Sequence, residues 1–240
     1  MSLVGLSDIQ ILRGTLSLIF VLISILIGIR MVLKYFKYKR KQLATIGLTW
    51  IFLSSAWWGG AFAFLFYLLF DITLSPEVYL FIGNFFIPIA LIMWIYSFTT
   101  LGYSEYKKKI FYPYIVISLG FMIFMVIALF TDYTLIGTVS NLNSEHSDIM
   151  LGFVVFALVS TLITGLIFAK KSMGAADPTI KWKGRFLFFA FLVFVIGALL
   201  DAIIPPIPVL LVLIKVVLAI SGILYEFGFF LPKFIQDKLE

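Results

Sequence analysis

The chain contains no cysteine, which excludes disulfides, thiol nucleophiles and cysteine metal sites together. It has one histidine, His146, in the polar stretch Ser140 to Asp148, so a metal or proton-relay site built from several histidines is excluded as well. Charge is scarce: 12% of the residues are Asp, Glu, Lys or Arg, against about a quarter in a soluble domain. The sequence shows no internal repeat, so an inverted-repeat transporter gets no support from it. No histidine cluster, paired acids or Ser–Lys dyad stands at a workable spacing, and no enzyme is expected.

What the chain does have is apolar surface. Hydrophobic residues make up 62% of its 240 positions, spread along almost the whole length, and mean hydropathy is +1.13. That distribution describes a single polytopic membrane domain, residues 1–240, with little room for a soluble one. Asking for about twenty apolar residues bounded by charge or turn signals gives seven spans. They cover approximately residues 11–34, 43–70, 78–101, 110–131, 149–170, 186–204 and 207–231. Hydrocarbon offers no partner for an open backbone group, so each must be helical. The predicted fold class is an all-α, seven-transmembrane helix bundle. The first span lacks a basic leader, its apolar run is too long and its positive charge follows the run, so it reads as an inserted helix and not a signal peptide.

The charged residues give the orientation. Lys37, Lys39, Arg40 and Lys41 follow span 1, Lys107 to Lys109 follow span 3, and Lys171, Lys181, Lys183 and Arg185 follow span 5; Lys233 and Lys238 lie beyond span 7. The alternate connections carry acids: Asp71 and Glu77, then Asp132, Glu145 and Asp148. The positive-inside rule therefore places the N-terminus outside and the C-terminus inside; the expected location is the plasma membrane. The net charge of +6 is then explained by basic loops facing anionic lipid, without nucleic acid.

Few polar groups enter the spans. Arg13 is close enough to the outer end of span 1 to snorkel to the headgroups. Asn84, two turns into span 3, is expected to hydrogen-bond a neighbouring helix. In "SSAWWGGAF" of span 2, the small residues suit close helix contact. The adjacent Trp57 and Trp58 cannot both share that face, so one is expected to line a cavity with Trp94 and Tyr96 as neighbours.

The stretch "LLDAIIPPIPVLLVLIKVVLAISG" places Asp201 before a proline corner (Pro205, Pro206, Pro208) and Lys215 after it. In span 7, Lys215, Ala219, Gly222 and Glu226 share one helix face, and in span 6 Ala190, Phe194, Gly197 and Asp201 repeat the rhythm. At 1.5 Å per residue, Lys215 lies roughly 12–14 Å below the corner and Asp201 about 5–6 Å. A lysine stem of about 6 Å covers the difference. An unpaired charge at that depth costs at least about 2.5–3.5 kcal/mol, so the two are expected to pair. The candidate ligand-binding set is Trp57, Trp58, Asn84, Trp94, Asp201 and Lys215.

Lys215 on the seventh span also raises retinal as a Schiff-base cofactor. Against it, Leu211 stands where microbial rhodopsins carry an aspartate one turn earlier, and span 3 contains no acid. No cofactor is expected.

"GALLDAI" (197–203) and "ILYEFGFFLPKF" (223–234) resemble the end of the seven-helix sensory modules that precede histidine kinase, PAS or cyclase domains in archaea and bacteria. The matching residues are Phe227, Gly228, Phe229, Leu231, Pro232 and Lys233. The resemblance implies a sensor that binds a small-molecule or lipidic ligand among its helices and acts on a cytoplasmic signalling partner. Only "IQDKLE" follows the motif, so the expectation is either a stand-alone sensor or the membrane part of a longer chain. The alternatives are a retinal photoreceptor using Lys215 and a small transporter or channel.

Overall fold

A computed structural model describes residues 6–140, 142–203 and 207–239. Seven helices in it are long and apolar enough to cross a membrane. Span 1 is α1 (Asp8–Tyr38), and span 2 is α2 (Lys41–Leu53) continued by α3 (Trp58–Phe70). Span 3 is α4 (Pro76–Asn84) continued by α5 (Ile87–Gly102), and span 4 is α6 (Lys107–Thr131). Spans 5, 6 and 7 are α7 (Asp148–Met173), α8 (Pro178–Ile203) and α9 (Pro208–Phe229), and a short α10 (Lys233–Gln236) follows. The helices of spans 1 to 6 begin before the predicted apolar limits, where basic or capping residues precede the hydrocarbon-length core, whereas α9 falls inside the expected 207–231.

Spans 2 and 3 are not the continuous helices that hydropathy predicts. A 3-10 turn at Ser54–Trp57 interrupts span 2, where the Ser54 hydroxyl donates to the Ile51 carbonyl at 2.7 Å. Serine bonding back to its own helix offers the chain an alternative to the regular ladder. Span 3 breaks at Phe85 and Phe86. Pro88 has no N–H to return to the Asn84 carbonyl, and its ring crowds that carbonyl, so the helix restarts at Ile87.

Contacts run from span 7 to span 1, span 1 to span 2, span 2 to span 3, span 3 to span 5, span 5 to span 6, and back to span 7. Span 4 packs on span 3 and stacks Phe121 on Phe153 of span 5 with ring centroids 3.8 Å apart. The most apolar stretch of span 3 is 56% buried within the protein and that of span 4 only 17%, so span 4 lies at the periphery. Polarity is distributed inward. Ser17, Ser24, Thr49, Ser54, Ser55, Ser97, Thr161 and Ser221 are buried, while Leu26, Val116, Ile123 and Phe130 face outward. A water-soluble fold would do the reverse; helices in hydrocarbon gain nothing by hiding leucine and much by hiding hydroxyls.

Spans 1 and 2 approach each other closely. A Cβ on Gly28 would meet the Gly47 carbonyl oxygen at 2.8 Å, and one on Gly47 would meet the Gly28 oxygen at 2.6 Å. Neither position has space for any other residue.

The connection before span 5 adds a short element that the all-α expectation did not include. It forms an antiparallel hairpin of β1 (Gly137–Ser140) and β2 (Asn143–His146), with Gly137 opposite His146. Four-residue strands are too short for alternation to be read from sequence. Of the turn residues, Asn141 lies outside the described residues. The hairpin lies against the start of span 3, where the Tyr79 hydroxyl donates to the Leu142 carbonyl at 3.3 Å. Its end of the molecule is called the hairpin end below, and the opposite one the basic end.

Candidate functional site

Span 7 buries Leu211, Ile214, Lys215, Leu218, Gly222 and Glu226 along one side. The face of small and charged residues expected from the spacing is therefore turned into the protein. Span 6 does the same with Ala190, Phe194 and Ala198. Asp201 at its end leaves 13% of its side chain exposed, and Lys215 leaves 4%. The Lys215 ammonium donates to Asp201 Oδ2 at 2.9 Å, so the pair expected from helix geometry is present. Pro208 begins span 7, whereas Pro205 and Pro206 of the expected corner, and Ile204 at the expected end of span 6, lie outside the described residues.

The sequence did not show that the same carboxylate oxygen also accepts the indole N–H of Trp57, at 2.6 Å. One oxygen thus serves two donors, and spans 2, 6 and 7 meet at it. The Lys215 ammonium lies 5.1 Å from the centre of the Trp57 ring, within reach of its π face. Phe20 of span 1 stands edge-on to the same ring at 4.9 Å, and Phe194 of span 6 lies 6.3 Å away. A carboxylate in this setting has few water molecules to satisfy it, so charge-assisted bonds carry most of its stabilisation. Arg13 of span 1 is close enough for its charge to act on Lys215. The neighbourhood therefore holds two cations and one acid.

The 3-10 turn decides which tryptophan joins. Trp57 points at Asp201, whereas Trp58 turns away, donates to the Ser54 hydroxyl at 3.1 Å and packs against Phe86 of span 3. Trp94 donates to Thr164 of span 5 at 2.7 Å and packs on Phe191 of span 6 at 4.7 Å. Its ring neighbours among the described residues are Phe98, Phe168 and Phe191, not the tryptophans of span 2. Tyr96 packs against Phe111 of span 4. Asn84 is also separate. Its side-chain N–H donates within its own helix to Leu80 at 2.9 Å, and its oxygen meets His146 Nε2 at 3.0 Å. Since that oxygen can only accept, Nε2 carries the proton. Asn84 therefore holds the hairpin and not a neighbouring helix. Of the six expected residues, the structure gathers Trp57, Asp201 and Lys215.

Three further buried donors on spans 1 and 2 have no hydrogen-bond partner among the described residues: the hydroxyls of Ser24 and Ser55 and the indole N–H of Trp50. Buried polar groups of this kind are normally satisfied, and each is costly when it is not. Trp50 sits at the junction of three spans, stacked on Tyr225 at 4.7 Å and tilted against Phe194 at 5.3 Å. Phe194 thus touches both Trp50 and Trp57, and joins the ion pair to this lower layer.

A second ion pair on span 7 was not anticipated. Arg30 of span 1 meets Glu226 at 3.3 Å, with side-chain exposures of 68% and 8%. Arg30 stands one turn before Lys34, where the apolar run of span 1 ends, and that position was the available signal for it.

Set beside protein-family models, curated proteins and solved structures, the chain matches none of the three.

Proposed function

We propose that this protein is a seven-transmembrane sensor whose switch is the Trp57–Asp201–Lys215 cluster. The cluster carries the reading because a single carboxylate oxygen ties together three spans. A ligand that competes for any one of its partners changes the restraint on the other two. By its differential affinity for the two arrangements, such a ligand would shift their populations, which is what a sensor requires. The charge asymmetry of the connections supports an outward hairpin end, an inward basic end and a plasma-membrane location. The cluster then faces ligands from the outer half of the bilayer, and the basic end faces the cytoplasmic partner. Two cations against one acid favour a ligand that brings an acidic group on a small or lipidic body.

The test is thermal unfolding of the purified protein with a panel of fatty acids and short amphiphilic acids. At saturating ligand a rise in Tm is expected for the wild type, because binding to the folded state alone stabilises it. No rise is expected in the Asp201→Asn, Lys215→Met double variant. No shift in the wild type across the panel would refute the reading. A retinal reading is favoured by the carboxylate 2.9 Å from Lys215, since a Schiff base there would have a counter-ion. Visible absorption after adding all-trans-retinal, abolished by Lys215→Met, would select it instead. Reporters in residues 140–148 and 172–179 test the orientation; accessibility from outside and inside respectively is expected.

A further inference from the structure

At the other end of span 7, spans 1 and 7 border an open groove of about 390 Å³, lined by Ile23, Leu26, Ile27, Ile223 and Phe227 with Arg30 and Glu226 at its charged end. Leu26 and Ile223 remain substantially exposed, so the groove opens on the surface that the apolar helices present to lipid. An acyl chain is the occupant that such walls can accept.

Charge at the groove selects further. Arg30 spends one contact on Glu226 and keeps 68% of its side chain exposed. Lys34, one turn on, packs over the Phe230 ring at 3.3 Å, and its charge interacts with those of Glu226, Arg30 and Lys183. Asp177 faces Lys183 in turn. Arg30 and Lys34 thus stand against the single carboxylate Glu226, one cation in excess, at the depth where the apolar run of span 1 stops. Long basic side chains at such a depth reach for headgroup phosphates. We infer that this groove is a binding site for an anionic phospholipid of the leaflet at the basic end, its acyl chain along Leu26 and Ile223 and its phosphate on Arg30 and Lys34. The site is independent of the cluster proposed as the switch.

Native mass spectrometry of the protein released from vesicles of phosphatidylcholine with phosphatidylglycerol tests this. The wild type is expected to retain phosphatidylglycerol over phosphatidylcholine, and the Arg30→Gln, Lys34→Gln double variant to lose roughly fivefold of that preference per cation removed. Arg30→Lys, which keeps the charge and a partner for Glu226, should keep the preference. Leu26→Trp, which fills the groove, should reduce retention of both lipids. Lys107→Gln with Lys108→Gln, at the same end but outside the groove, should change nothing. Inorganic phosphate at millimolar concentration should not displace the lipid, because it lacks the chain. Equal retention of the two lipids by the wild type would overturn the site. So would an equal loss in the Lys107, Lys108 control, or displacement by phosphate alone.

Discussion

Span 7 carries two ion pairs on one face, eleven residues apart, and they are built differently. Lys215 and Asp201 are sealed at 2.9 Å, with the Trp57 indole on the same oxygen. Arg30 and Glu226 stand at 3.3 Å with the arginine largely in the open and Lys34 near by. In the first pair each member depends on the other: removal of Asp201 leaves Lys215 buried beside a second cation, Arg13, and removal of Lys215 leaves Asp201 with the Trp57 N–H but without its ion-pair partner. In the second, the exposed arginine can be lost while a neighbouring cation remains. The same chemistry is therefore a tight constraint at one end of the helix and an adaptable contact at the other.

The largest effect should come from breaking the sealed pair on one side only. Asp201→Asn or Lys215→Met alone is expected to cost about 3–5 kcal/mol of stability in detergent, because an orphan charge stays buried. The double variant should recover most of it, and thermal unfolding across the cycle measures the coupling. Additive losses would mean that the two residues act independently. Next comes the third member. Trp57→Phe keeps an aromatic ring and removes the N–H with the pyrrole half of the indole, at an expected cost of at least about 1.5–3 kcal/mol for a hydrogen bond to a charged group. Trp58→Phe, one residue on, loses only a neutral bond to Ser54 and should cost about 1 kcal/mol. Equal losses at the two tryptophans would remove the distinction drawn by the 3-10 turn.

The open pair should yield less. Arg30→Gln is expected to cost about 0–1 kcal/mol, in the range of exposed ion pairs, and a loss as large as that at Asp201 would make the two ends equivalent. The smallest effect concerns the hairpin. His146 keeps much of its surface in solvent, yet loss of hydration where it meets the protein holds its imidazole below the usual histidine range. A base with a depressed folded pKa binds fewer protons when folded. Its contribution is therefore complete above the unfolded pKa of about 6.5 and is lost as pH falls through the lower folded value. Hydrogen exchange of β1 and β2 should quicken as pH falls below about 6.5, after correction for intrinsic exchange, and His146→Gln should flatten that response.

The seven spans were legible because length and apolarity alone decide them in hydrocarbon. The Lys215–Asp201 pair was legible for a related reason: two charges with no other partner, at depths that a lysine stem can join. Helix phase was much less legible. Choosing Trp57 over Trp58 requires knowing that four residues wind more tightly than an α-helix, and "SSAW" carries no periodic sign of it. Asn84 was read as a bridge between helices, but Pro88 breaks span 3 just beyond it, and its partner His146 lies 62 residues away on a hairpin too short to detect. Arg30 went unread because a basic residue near the end of an apolar run looks like any other membrane anchor.

The contact of Gly28 with Gly47 has a mechanical consequence. Where the two glycines meet, each would set a Cβ against the other's carbonyl oxygen, with the Ile51 and Val32 side chains packed over the same contact, so the helices have no room to slide closer. Spans 1 and 2 are pinned there as a lever is at its fulcrum, while Phe20 and Trp57 meet farther along, toward the hairpin end. A small tilt about the pin becomes a larger sideways displacement at the Trp57 indole. A bulkier residue at Gly47 would not merely loosen the two helices; it would move the pivot and shorten the arm.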